Sequence, residues 1–222
     1  MKTALALFAA VAAIASMAGS AASAAVLDNF NRPDSSTLGP GWTQQAGTSG
    51  IVGDQAFGSN QSLATFNGGS GDTVSFDISN PTNSTSYVAA VLGWGSAYDY
   101  FVKVQNNGGS AFDTYSFGTG NNSDVTFTDL SGSFTSAHVV VSVIGTLATL
   151  DIFPNVGAEQ IYTFNYGPGL SGGGIGLGFY GGATADNFGA GAVPEPATWA
   201  LMLAGFAGLG LALRRRAKPA TA

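Results

Sequence analysis

The 222-residue chain has no cysteine, a single histidine and few charges; Asp, Glu, Lys and Arg together make up 9% of it. Each scarcity removes a class of chemistry. Without cysteine there is no disulfide framework, no thiolate metal site and no cysteine nucleophile. Between Ala25 and Ala190 there is one glutamate, Glu159, and no Glu-x-Asp-x-Glu run. The carboxylate pair that a β-fold glycosidase places across the scissile bond therefore has no motif to carry it. No His-Glu-x-x-His helix occurs, and the Gly-x-Ser-x-Gly spacing at Gly169 to Gly173 has no helical run after it to make a nucleophile elbow. The lone histidine, His138, opens a valine-rich run and reads as an ordinary strand-end residue. Many serines and aspartates could be drawn beside it equally well, so no triad is singled out. The expectation is a protein that is not an enzyme.

Positive charge is scarce in the same region, which holds only Arg32 and Lys103 against twelve acidic residues, a formal charge of −10. Such a surface repels phosphate backbones, which excludes nucleic acid as a partner, while its carboxylates suit divalent cations. Helical periodicity is also missing from Ala25 to Gly191. In its place runs a period of two. Val74, Phe76 and Ile78 alternate with Ser75, Asp77 and Ser79; Tyr100, Val102 and Val104 alternate with Phe101, Lys103 and Gln105. That pattern predicts strands with one buried and one solvated face. Tyr87 to Trp94 and Val139 to Ile144 are apolar on both faces and suit central strands. Turn residues such as Asn107-Gly108-Gly109 and Gly145 separate the runs. About a dozen strands spaced in this way argue for an all-β, antiparallel β-sandwich.

Two details refine it. Leu27-Asp28-Asn29-Phe30 is echoed by Ala185-Asp186-Asn187-Phe188, which would let the first and last strands pair and protect each other's edges. If they pair, Asp28 and Asp186 come together, and hard oxygen ligands of this kind suit a structural Ca²⁺. The alternative is that they cap turns, or that Asp28 pairs with Arg32. No other cofactor is expected. In Ile175-Gly176-Leu177-Gly178-Phe179 the apolar side chains point one way and the other face is bare, which allows close approach of a backbone or ligand. For a glycan, the best local cluster of rings and acceptors is Trp94, Tyr98, Asp99 and Tyr100. Trp94 and Tyr100 suit the core, so Tyr98 and Asp99 are the candidate ligand-binding residues.

The two ends of the chain are of another kind. Lys2 precedes an apolar run from Ala4 to Ala18, and Ala22-Ser23-Ala24 supplies small residues at a cleavage site before Ala25, the order of a secretory signal peptide. Near the other end, Val193-Pro194-Glu195-Pro196 leads into an uncharged run from Ala197 to Leu213, followed by Arg214-Arg215-Arg216-Ala217-Lys218. At ~1.5 Å per residue the run reaches ~25 Å, the short end of a membrane-spanning helix, and clustered arginines stay on the cytoplasmic side. The expected organisation is a signal peptide at 1–24 cut between Ala24 and Ala25, then a β-sandwich ectodomain at 25–190. A linker at 191–196, a transmembrane helix at 197–213 and a basic cytoplasmic tail at 214–222 complete it.

The Pro194-Glu195-Pro196 motif, with Thr198-Trp199-Ala200, Met202-Leu203, Gly205-Phe206 and Arg214 to Arg216, resembles the PEP-CTERM sorting signal of Gram-negative bacteria. The resemblance implies processing near Pro-Glu-Pro by an exosortase, a membrane-embedded transpeptidase-like enzyme, and a link to exopolysaccharide and biofilm. Asp28-Asn29-Phe30-Asn31-Arg32-x-Asp34, Leu38-Gly39 and Gly41-Trp42 resemble the opening of concanavalin A-like or laminin G-like jelly rolls. Val139 to Ile152, Gly174 to Phe179 and Ala185 to Phe188 resemble their closing strands. Such folds imply glycan, calcium or matrix contact, and host many functions. The expectation is an exported surface or matrix protein that passes through the inner membrane and contacts exopolysaccharide. The alternatives are a purely structural matrix component, or a divergent glycan hydrolase, which needs two carboxylates in a concave cleft.

Overall fold

The computed structural model describes residues 25–82, 85–96, 99–120, 123–169 and 172–191. The expected signal peptide, membrane helix and basic tail lie outside the described residues. So do Ala24, Tyr98, Pro194, Glu195, Pro196 and Arg214 to Arg216. The described residues form fourteen strands and no helix. They are β1 (Ala25–Asp28), β2 (Trp42–Val52), β3 (Gln55–Ser70), β4 (Thr73–Ser79), β5 (Tyr87–Trp94), β6 (Tyr100–Gln105) and β7 (Phe112–Thr119). After these come β8 (Ser123–Asp124), β9 (Thr128–Phe134), β10 (Ala137–Ile144), β11 (Leu147–Pro154), β12 (Gln160–Asn165), β13 (Gly174–Tyr180) and β14 (Thr184–Ala190).

Every pairing is antiparallel. The strands follow the order β12-β11-β10-β4-β14-β3-β13-β5-β6-β7-β8, with β1 on β14, β2 on β3 and β9 on β7. The sandwich expected from the sequence is thus one continuous curled sheet rather than two separate ones. The long β3 is the reason. Ala56 and Phe57 near its start pair with β14, whereas Ser62 to Phe66 pair with β13. Between them lie Gly58 and Asn60, the latter in the left-handed region at φ 56°. A strand that serves both parts of a fold turns a corner in this way.

β3 divides the sheet into a first arm, β12-β11-β10-β4-β14, and a second arm, β13-β5-β6-β7. Period-two patterning supplies each with an apolar inner face. Val74, Phe76, Val139, Val141 and Leu150 from the first arm share one buried cluster with Val88, Leu92, Val102, Val104 and Leu177 from the second. Each such side chain contributes ~1.5–3 kcal/mol through burial. The curl brings β7 and β12, from opposite ends of the order, face to face: Tyr115 stacks on Tyr162 at 4.1 Å and Phe117 on Phe164 at 5.5 Å. Ser131 N, on β9, donates to Gln160 Oε1 at 3.1 Å and to Tyr162 Oη at 2.8 Å.

The terminal strands do pair, with Ala25 opposite Ala190 and Asp28 opposite Phe188. Behind this pair lies an aromatic knot in which Trp42 stands 5.6 Å from Phe30, 5.3 Å from Phe66 and 5.0 Å from Phe188. Asp28 ties it down. Its Oδ1 accepts from Phe30 N and Arg32 Nη1, and its Oδ2 from Arg32 Nη2 and Trp42 Nε1, all at 2.7–2.9 Å. Gly39 and Gly41, at φ 85° and 100°, let the chain turn between these anchors where a side chain would be strained. Burial alone would raise the Asp28 carboxyl, but the Arg32, Trp42 and Phe30 hydrogen bonds outweigh it and hold the pKa below the ordinary value.

Candidate functional site

The outer face of the second arm is where the sequence reading and the structure differ most. Alternation along β6 predicts a solvated row of Phe101, Lys103 and Gln105, yet Phe101 and Lys103 are 3% and 4% exposed. Both are covered by neighbours that the pattern does not reveal. Lys103 Nζ lies 2.6 Å from Asp124 Oδ1 on β8 and 5.2 Å from the Tyr87 ring centroid. Phe101 forms a small outer cluster with Leu63 and Val91, against which Trp94 packs edge-on at 6.4 Å.

Beside this cluster runs a groove of about 300 Å³. Its floor crosses β13 at Gly178, where the bare face expected from the Gly-x-Gly alternation leaves room. Gly176 serves the packing instead, because a Cβ there would fall 2.1 Å from Ala64 O on β3. On the β3 side the wall is Ala46 and Leu63; on the β5 side it is Tyr87, Trp94 and Phe101. Tyr87 is held by stacking on Tyr180 at 5.8 Å and 17°. The exposed Gln61 adds an amide at the rim. An apolar, ring-lined groove with a few polar groups suits a ligand with flat CH faces and peripheral hydroxyls.

Of the residues expected to bind a ligand, Tyr98 lies outside the described residues. Asp99 is half-buried, and its Oδ1 accepts from Gly120 N at 3.0 Å, fastening the turn beyond β7. Tyr100 is fully buried, stands 4.1 Å from Tyr166 and donates to Pro168 O. Trp94 is the member of that cluster that lines the groove. Gln61, Tyr87 and Phe101 had no local signal, because they meet across strands far apart in the chain.

The first arm carries a polar outer face. Asp186 on β14 stands opposite Asp77 on β4. Asp77 Oδ2 accepts from Asn187 Nδ2 at 2.7 Å, and Asp77 Oδ1 lies 2.6 Å from His138 Nδ1 on β10. Burial pushes Asp77 up, yet those two partners outweigh it and keep its pKa low. Asp186 is raised, first by burial and then by Asp77, Asp28 and Asp54. Asp151 is pushed up to about 6 by burial and by the negative charge of the neighbouring Glu159.

The expected calcium pair is only half available. The four donors around Asp28 fill its acceptor directions, while Asp186 Oδ1 accepts from Asn187 N at 2.7 Å. Among the described residues no group of three or more His, Asp or Glu side chains could hold a metal ion.

Comparisons with known proteins follow the same division between domain and tail. No curated protein matches the chain. Among solved structures, a carbohydrate-binding module, CBM66, from Bacillus subtilis matches at 16% identity and TM-score 0.48, over 68% of this chain and 96% of its own. A Bacillus subtilis protein of unknown function with a galectin-like fold matches at 13% and 0.49, over 75% and 94%. The CBM2 module of the evolved Dit protein of Lactobacillus casei BL23 phage J-1 matches at 13% and 0.40, over 74% and 95%. None reaches a TM-score of 0.5, so these likenesses concern backbone course alone. The tail gives a sharper result, since residues 192–216 match the family model of the PEP-CTERM protein-sorting motif. The chain is therefore an all-β, antiparallel domain followed by a PEP-CTERM sorting motif.

Proposed function

We propose that this is an exported glycan-contacting protein of the cell surface or extracellular matrix, without catalytic activity. In this reading the signal peptide is cut between Ala24 and Ala25. The helix at 197–213 holds an inner-membrane intermediate, and an exosortase processes it near Pro194 to Pro196. Released or surface-held, the domain contacts exopolysaccharide of the biofilm through the outer groove of the second arm. The groove carries the reading: Tyr87, Trp94 and Phe101 line one wall over a glycine floor, outside a core that is already complete. Trp94, the partly exposed ring of the three, offers a face to pyranose CH groups, and Gln61 offers an amide to hydroxyls.

The experiment is retention of the exported protein on the cell's own matrix polysaccharide, compared with its Trp94→Ala variant. Retention that drops in the variant supports the reading. Wild-type protein that passes through unretained, with or without Ca²⁺, removes it. Terminal sequencing of the mature protein tests the sorting route, because a product still carrying Arg214 to Arg216 contradicts cleavage.

A further inference from the structure

The outer face of the first arm holds a hollow of about 350 Å³ that the groove reading leaves unused. Asp186, Asp77 and His138 form a row across β14, β4 and β10, and Gln55, Phe153 and Asn155 surround it. Through Ser79 and Ser136 it continues into a second hollow of about 510 Å³. The depression is thus an elongated trough, in the size range of small-molecule sites.

Its chemistry is one-sided. Asp77 and Asp186 are directly opposite across two strands, a like-charge placement that costs stability. Asp77 is relieved by His138 and Asn187. Among the described residues Asp186 has a hydrogen bond only from the N–H of its own neighbour, Asn187. Neither lysine nor arginine lines the trough. The two cations of the domain are engaged elsewhere, Arg32 with Asp28 and Lys103 with Asp124. Beside the acids stands an aromatic ring, Phe153, 6.2 Å from His138.

A ligand that fits must bring donors, positive charge and a flat apolar face. A bare divalent cation lacks enough oxygen ligands here, since Ca²⁺ takes six to eight. Sugars bearing carboxylates meet two aspartates and are repelled. The combination that remains is a sugar ring with a free amine: its ammonium faces Asp186, its hydroxyls face Asp77 and Asn155, and its CH face covers Phe153.

We propose that this trough is a second glycan site, selective for amino-sugar units whose amine is free and protonated. It is separate from the aromatic groove and stands or falls independently of it. In the test, full-length protein in detergent micelles is titrated with a glucosamine tetrasaccharide and with its fully N-acetylated counterpart. The free-amine form is expected to bind about tenfold more tightly or better. Asp186→Asn, which keeps the side-chain size and the acceptor for Asn187 N, is expected to erase that preference while melting no lower than wild type, since it removes the like-charge opposition to Asp77. Equal affinity for the two oligomers overturns the proposal. So does an unchanged preference in Asp186→Asn, or equally effective competition by a linear polyamine that has no sugar ring.

Discussion

The two arms share one core and differ on their outer faces. The second arm covers its outer face with small and aromatic residues, Gly178, Ala89, Tyr87, Trp94 and Phe101, and is buried there almost as thoroughly as inside. The first arm faces outward with Asp186, Asp77, His138 and Asp151, partly solvated, with Asp77 paired to His138 and Asn187. Since the inner faces are alike, the fold does not depend on this difference. The outer faces differ in chemistry, one lined by rings and small residues and the other by carboxylates and an imidazole.

The largest expected effect tests the shared core. Phe76→Ala in the first arm and Leu177→Ala in the second should each cost ~3–5 kcal/mol, because both side chains are fully buried in one cluster. Denaturant melts followed by fluorescence and circular dichroism should show a single transition for both variants. Two separate transitions would divide the arms into independent units and break the comparison.

Next comes the clasp that closes the first arm. Asp28→Ala removes four hydrogen bonds from a side chain that is 9% exposed, and should cost ~2–3 kcal/mol in thermal or denaturant melts at neutral pH. Because the folded pKa of Asp28 lies below the unfolded value of 3.8, its contribution is complete above that pH. It is lost as pH falls through the lower, folded value. Wild type and Asp28→Ala should therefore converge in stability toward strong acid. A gap that stays constant to the lowest pH would show that the charge of Asp28 contributes nothing.

Asp151 works in the opposite direction and more weakly. Folded, it keeps its proton up to about pH 6, whereas unfolded it loses it near 3.8. Across that window the folded state binds more protons, so stability falls as pH rises. After allowance for solvent screening, Asp151→Asn should be ~1 kcal/mol more stable than wild type at pH 7 and indistinguishable from it below pH 3.8. Melting curves at the two pH values measure this; a variant that is less stable at pH 7 would contradict the assignment.

How far the sequence reached depended on distance along the chain. Local signals were legible: the alternation in β4, the doubly apolar β5, the Asp-Asn-Phe echo that pairs β1 with β14, and the sorting motif of the tail. Gln55–Ser70 carries no strand signal in its Ser, Gly and Asn residues, yet it forms the longest strand and the corner of the sheet, because pairing on both edges overrides weak propensity. The outer burial of Lys103 depends on Asp124, twenty-one residues away, and the His138–Asp77 contact spans sixty-one. The groove collects Gln61, Tyr87, Trp94 and Phe101 from β3, β5 and β6, so no window of sequence contains it.

The most direct test of the account is quantitative retention of the exported protein on its own matrix polysaccharide, with Trp94→Ala and Asp186→Asn measured in parallel at neutral pH. The account predicts that wild type is retained and that Trp94→Ala weakens retention by about tenfold or more, with a melting temperature well above that of the core variants. Retention unchanged by Trp94→Ala, or absent in wild type, would contradict it.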